Sequence, residues 1–288
     1  MTLLEDQPTR FEPIHEAHAI EQAAVTLQFG RPIDPGSFKN AVAAFRQRYA
    51  AGDGAILPGD VQLQQATFGF RIGNLALGQP AQAGLSMGHM FSRTSPSGVV
   101  EKDLRLNAFS IAFRTCVYSR WADLAADAKG FLEVLLPFYG DSLPIASLGY
   151  SVVDKFIWKG PSGQCNPKLL LRPQSKYVCP HVFNTSDMWH SHTGVFLKED
   201  ASTKRLLNLN VDCVDEALPP GDTRTVVSIT TVVTDSLNQP GYQPSTPLPQ
   251  EEVAAFVSAK LNCLHSFSKS VFSETINDTM CRRIALVE

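Results

Sequence analysis

Residues 204–214, Lys204-Arg205-Leu206-Leu207-Asn208-Leu209-Asn210-Val211-Asp212-Cys213-Val214, carry the clearest strand signal in the chain. Leu207, Leu209, Val211 and Cys213 fall on one side of an extended backbone; Asn208, Asn210 and Asp212 fall on the other. Successive side chains of a strand point to opposite faces, so this alternation predicts a sheet with one apolar and one polar face. Strand patterns near 187–198 and 223–235 flank it, joined by short polar connections that suit an antiparallel meander.

The apolar face of such a sheet needs a cover. Beyond a proline-rich loop at 236–249, Val253, Phe256, Val257, Leu261, Leu264, Phe267, Val271, Phe272 and Ile276 recur every three or four residues. This spacing predicts a helix over 250–277, about 40 Å long at roughly 1.5 Å per residue. Glu251 and Glu252 stand in its first turn, where the helix dipole favours negative charge. A stripe this long is expected to pack on the sheet formed by Leu207, Leu209, Val211 and their neighbours.

Toward the N-terminus, Ala23, Val25, Leu27 and Phe29 alternate as a strand. Asp34-Pro35 then supplies an N-cap and a first-turn proline for a helix carrying Phe38, Val42, Phe45 and Tyr49, stopped at Gly52-Asp53-Gly54. Strand patterns follow at 61–72, 83–91, 97–102 and 104–115. Their phase changes near Gln65, and again between Leu106 and Phe109, as a bulge would cause. Ser119 caps a second helix with Trp121, Leu124, Ala128, Phe131, Leu132 and Leu135 on one side, ended by Pro137 and Gly140. A strand runs through 144–158.

Residues 159–180 hold four prolines and two glycines and mark the best boundary in the chain. The expectation is therefore an α+β protein of antiparallel sheets, with a long C-terminal helix packed on the sheet and two similar-sized halves, 1–160 and 161–288.

Composition narrows the functions. The 288 residues are 44% hydrophobic and 18% charged, ordinary for a folded chain, and the net charge of -3 is spread without blocks. Nucleic-acid binding is disfavoured, because the only adjacent arginines late in the chain are Arg282 and Arg283. Met1-Thr2-Leu3-Leu4-Glu5-Asp6 lacks a secretory signal, and no apolar run reaches the roughly 20 residues that span a bilayer. The cysteines at 116, 165, 179, 213, 263 and 281 are scattered and read as reduced, mostly structural thiols. Together these features point to a soluble cytoplasmic protein without membrane association.

Two motifs bear on chemistry. Gly84-Leu85-Ser86-Met87-Gly88 fits the nucleophile elbow of serine hydrolases, but that elbow needs a buried strand before it and a helix after it. Neither flank supplies one, and Leu85, Met87 and His89 alternate as an ordinary strand. Cys179-Pro180-His181 and Trp189-His190-Ser191-His192 bring zinc-ligand residue types close in sequence. His190 and His192 share a strand face and could meet Cys179 and His181 across a hairpin, with Cys165 as a further thiolate. The bland alternative is a solvated pair of histidines, since Trp189, Val195 and Leu197 form the apolar face. Nothing in their spacing matches a standard zinc motif. His15 and His18 read as solvated residues before a strand, and His265 as a flank residue of the last helix. Phosphate-binding glycine loops are absent.

Several segments, taken in order, resemble a sporadically distributed family of conserved hypothetical bacterial and archaeal proteins about 250–290 residues long. The matches are Pro13-Ile14-His15-Glu16-Ala17 leading to Phe29; the Trp121 helix followed by Leu148-Gly149-Tyr150-Ser151-Val152-Val153-Asp154-Lys155-Phe156; and Leu264-His265 with Phe272 and Ile276. Gly149 departs from the polar or charged residue that family members carry there. The resemblance brings no activity and no catalytic residue, and its patchy distribution is like that of mobile or phage-defence genes. Three functions follow in order of preference. The first is a non-enzymatic interaction or regulatory protein, antitoxin-like or phage-defence-associated, with a protein partner or as a homo-oligomer. The second is a small-molecule-binding helix-on-sheet domain. The third is a metal-dependent enzyme using zinc at Cys179, His181, His190 and His192.

Overall fold

The computed structural model describes residues 10–63, 71–72, 75–76, 88–139, 145–161, 163–185, 187–218, 221–237 and 250–286. Gly84-Leu85-Ser86-Met87, the phase change at Gln65 and most of the proline-rich loop lie outside them. The strands are β1 (Phe11–Pro13), β2 (Ile20–Phe29), β3 (Gly59–Leu63), β4 (Arg71–Ile72), β5 (Leu75–Ala76), β6 (Gly88–Thr94), β7 (Val100–Asn107), β8 (Ser110–Thr115), β9 (Ile145–Trp158), β10 (Trp189–Lys198), β11 (Thr203–Leu218) and β12 (Asp222–Leu237). The helices are α1 (Pro35–Phe45), α2 (Trp121–Tyr139), α3 (Gln250–Thr275) and α4 (Asp278–Arg283).

The mixed α+β expectation holds. Ten of the strands form one antiparallel sheet in the order β10-β11-β12-β9-β2-β8-β7-β6-β3, with β1 also paired to β9. The same path is traced twice. From β2 the chain leaves, returns through the meander β6-β7-β8, and sets β8 beside β2. From β9 it leaves, returns through β10-β11-β12, and sets β12 beside β9. β2 and β9 pair with each other, so the sheet runs unbroken from one meander to the other.

Local signals explain the elements. The Asp34 side chain accepts from the backbone N–H of Gly36 and Ser37, and Pro35 follows at the first turn of α1. Its last turn widens into a π-helical stretch, Arg46–Ala50, before Gly52 turns the chain at φ 86°. The phase change between Leu106 and Phe109 is a correction: it marks a hairpin turn, not a bulge. Asn107 pairs with Ser110, so Ala108 and Phe109 form a two-residue loop between β7 and β8, closed by Phe109 N–H donating to Asn107 Oδ1 at 2.6 Å.

Every described α-helix joins a single apolar core on one face of the sheet. Val25, Leu27, Leu104, Phe113, Tyr150, Leu207, Leu209 and Val211 meet Val42 and Phe45 of α1, Phe131 and Leu135 of α2, Leu261 and Leu264 of α3, and Met280 of α4. α3 lies against β9 and β12 and beside α2. Among the described residues, the opposite face holds a small apolar cluster, Ala24, Ala112 and Val153, with buried Val226 and Val232 also on that side. No described helix is long and apolar enough to cross a membrane.

Candidate functional site

On the face away from the described helices, β11 contributes its even-numbered residues. Arg205, Leu207, Leu209, Val211 and Cys213 are buried with the helices, so Asn208, Asn210 and Asp212 must point away from them. Register then assembles two rows across four strands. His192 pairs with Asn210, Asn210 with Thr230, and Thr230 with Val153; His190 pairs with Asp212, Asp212 with Ser228, and Ser228 with Lys155.

The two rows are chemically unlike. His190 Nδ1 lies 2.5 Å from Asp212 Oδ1, and the His190 and His192 rings are 6.5 Å apart. Lys155 Nζ donates to Glu21 Oε1 at 2.5 Å and Glu216 Oε1 at 2.7 Å. Burial works against the lysine charge, but the two carboxylates outweigh it and hold its pKa above the ordinary value. Arg224 completes this network through Glu216 at 3.1 Å. Within the first row stand Asn210, 4% exposed, and Thr230, 1% exposed. Neither Asn210 Oδ1 nor Thr230 Oγ1 has a hydrogen-bond partner. Buried polar groups are nearly always paired, so two neighbouring orphans call for an explanation.

The remaining zinc-type residues are placed elsewhere. The backbone N–H of Cys179 donates to Ser191 Oγ at 3.1 Å, and Ser191 sits opposite Val211, on the core face. His190 and His192 point the other way, so β10 stands between them and Cys179. His181 is exposed in the 3-10 turn Pro180–Asn184. Cys165 Sγ lies 3.7 Å from Cys213 Sγ, both buried. Among the described residues, no three His, Cys, Asp or Glu side chains converge as metal ligands.

A second cluster, on the core face, was not anticipated. Asp154 occupies a position in β9 between the core residues Val152 and Phe156 and is 3% exposed. Burial pushes its carboxyl up to about 8, so it carries its proton at neutral pH. Burial, with the Asp154 and Asp123 charges, pushes the Tyr118 hydroxyl up to about 12. Tyr150 is raised well above the ordinary tyrosine value, first by burial and then by Tyr118 and Asp154. Trp121 stands edge-on to Tyr150 at 5.3 Å and donates from Nε1 to Asn262 Oδ1 at 2.7 Å. His265 is pushed down to about 4 by burial and then by the Lys269 charge.

His18 is a tie, not a solvated ring. Its Nδ1 accepts from Ile20 N–H at 3.2 Å, so the proton is on Nε2, which donates to the Tyr118 carbonyl at 3.1 Å. Burial, and then His15, lower its pKa and favour this neutral tautomer. The visible sequence signal for this cluster was Asp154 itself, a carboxylate in the apolar phase of Leu148, Tyr150, Val152 and Phe156. Between α3 and the sheet, a cavity bounded by Val25, Leu27, Phe113, Val257 and Leu261 has a volume of only about 10 Å³, room for a single water.

A comparison of the chain with protein-family models finds no match. A comparison with curated protein sequences likewise finds no match.

Proposed function

We propose that the chain is a non-enzymatic interaction protein, of the antitoxin-like or phage-defence-associated kind, that recognises a protein partner through the face of its sheet opposite the described helices. One observation carries this reading: Asn210 Oδ1 and Thr230 Oγ1 sit side by side on that face, buried and unpartnered. Each such orphan costs about 1–3 kcal/mol, and valine or leucine at these positions would avoid the cost. A partner whose binding uncovers this row and presents N–H or O–H donors to it repays the cost. His192 and the His190–Asp212 pair border the row and add exposed polar contacts suited to the rim of an interface.

The test is affinity purification of the tagged chain from its source cells, run beside the double variant Asn210→Leu/Thr230→Val. The expected result is a stoichiometric protein that the parent captures and the folded double variant loses. Equal capture by both places the interface elsewhere on the molecule. Recovery of the parent chain alone overturns the reading.

A small-molecule binder is the second reading, favoured by Asp154. A nearly buried carboxyl beside Tyr118 and Tyr150, with burial and no ion pair setting its pKa, is the type of group that ligand sites use.

A further inference from the structure

The sheet ends at β10, and that edge is unguarded. β10 pairs with β11 from Trp189 to Lys198 without a register shift, so the outer edge is straight for ten residues. It contains no proline and no bulge, two of the devices by which edge strands avoid further pairing, and its one lysine, Lys198, stands at the strand's end. Among the described residues, no strand lies on its far side. An edge strand directs the N–H and C=O of alternate residues outward, and the exposed Gly194 leaves the middle of the strand bare. Phe196 is 64% exposed on the same edge, while Val195 and Leu197 on the other face are half-buried.

We infer that β10 pairs antiparallel with β10 of a second copy of this chain, joining two sheets across a two-fold axis that passes beside Phe196. The occupant follows from self-complementarity. A two-fold that keeps the helices on one face requires each residue number and its opposite to have an even sum, so the axis passes beside a residue and not between two. With Phe196 opposite the partner's Phe196, Val195 meets the partner's Leu197 and Leu197 meets the partner's Val195. Both faces therefore gain apolar cross-strand pairs. Gly194 then faces the partner's Lys198 and leaves room for its stem, so the paired stretch within β10 runs from Gly194 to Lys198.

The neighbouring registers are worse. Centring on Val195 sets Leu197 against the partner's Thr193 and Lys198 against the partner's His192, and centring on Leu197 sets Phe196 against the partner's Lys198 and Val195 against the partner's Glu199, so neither keeps the Val195–Leu197 pairs. Centring on Gly194 puts Phe196 against the partner's His192 and Lys198 against the partner's His190. Centring on Lys198 sets two ammonium groups opposite each other and Leu197 against the partner's Glu199. Like charges directly opposite across strands are destabilising. The inference does not depend on the polar-face reading, because it uses the strand edge and not the Asn210–Thr230 row.

The experiment is sedimentation of the full chain over a range of micromolar concentrations, together with oxidative crosslinking of Phe196→Cys in a Cys263→Ser background. Directly opposed residues have Cβ atoms about 4.5–5.5 Å apart, close enough for a disulfide after small adjustment. The expected results are a dimer mass, a covalent dimer from Phe196→Cys and none from His190→Cys in the same background. Phe196→Asp, at an exposed position outside the core, where Lys204 Nζ lies 4.2 Å from the ring centroid, should weaken dimerisation at least tenfold with an unchanged circular dichroism spectrum. A monomer throughout overturns the inference, as does a dimer that Phe196→Cys fails to trap. A foreign strand on this edge would show itself as the monomer outcome.

Discussion

Trp121 and His265 stack face to face, with ring centroids 4.3 Å apart and planes 6° from parallel, and so join the first turn of α2 to the middle of α3. The stack lies above Tyr150, which both rings meet edge-on. Each half of the chain thus delivers one long helix to the same point above β9. The imidazole is held neutral there, since burial pushes its pKa down to about 4.

That depression predicts acid sensitivity. A histidine with a folded pKa near 4 and an unfolded value near 6.5 is neutral in both states at neutral pH. As pH falls from about 6.5 to about 4, the unfolded chain binds the proton first, and stability is lost across that window. His265→Phe keeps the stack and removes the titration. Thermal melts at pH 7 and pH 4.5 should show a smaller drop in Tm for the variant. Equal drops would mean that other groups with lowered values, such as His18 and Glu216, carry the effect without His265.

Asp154 acts with the opposite sign. Its folded value of about 8 exceeds the unfolded carboxylate value, so the proton retained in the fold stabilises fully below about pH 4. That contribution fades as pH rises, and is gone once pH passes through about 8. Asp154→Asn should therefore gain stability relative to the parent as pH rises from 4 to 8, reaching a few kcal/mol at most. Urea midpoints at pH 5 and pH 8 measure it. A difference that is flat with pH rules the buried carboxyl out as the cause.

The sequence exposed what is local and hid what is not. Asp34-Pro35 named the start of α1, because a cap needs only the next three residues. The period-two run through Leu207, Leu209, Val211 and Cys213 gave a strand and its two faces directly. The phase change before Phe109 was ambiguous, because a bulge and a two-residue turn both invert the alternation, and only pairing of Asn107 with Ser110 separates them. Sheet order was out of reach, since β8 returns to β2 across some 80 residues of chain. The candidate site divides similarly. His190 and His192 share a face by simple alternation, but the contact of Asn210 with Thr230 needs the register of two strands. Asp154 was visible as a polar break in an apolar phase, yet its burial depends on strands and helices remote in sequence.

A buried ion pair that no motif announced supplies a further prediction. Arg205, 4% exposed at its side chain, donates to both oxygens of the fully buried Asp235, at 2.7 and 2.9 Å, beneath the ring of Phe267. Removing one partner strands the other charge in the core, which costs roughly 3–5 kcal/mol. Asp235→Ala should lower the unfolding midpoint accordingly. Glu199, whose side chain is 38% exposed, also bonds Arg205, and Glu199→Ala should cost about 1 kcal/mol or less. Comparable losses from both would contradict the burial argument.

The α3 stripe grades along its length. Leu264 is fully buried, whereas Phe256 lies one side of the stripe and is half-buried. Leu264→Ala should cost about 2–5 kcal/mol, the range for emptying a packed core position. Phe256→Ala should cost distinctly less in the isolated chain, because part of its ring already meets water. Denaturant titration of both variants checks the order.

The Asn210–Thr230 pair separates stability from recognition. Thr230→Val is nearly isosteric and deletes a buried hydroxyl that has no partner, so it should stabilise the isolated chain by about 1 kcal/mol. Asn210→Leu removes the second orphan and should add to this, though the two sites touch and their effects need not sum. If the row exists to meet a partner, the same changes must weaken binding while raising Tm. A natural interface would then hold two residues that the free fold is better without. A loss of stability in Thr230→Val would show instead that its hydroxyl is satisfied in solution, and would remove the reason for assigning recognition to this face.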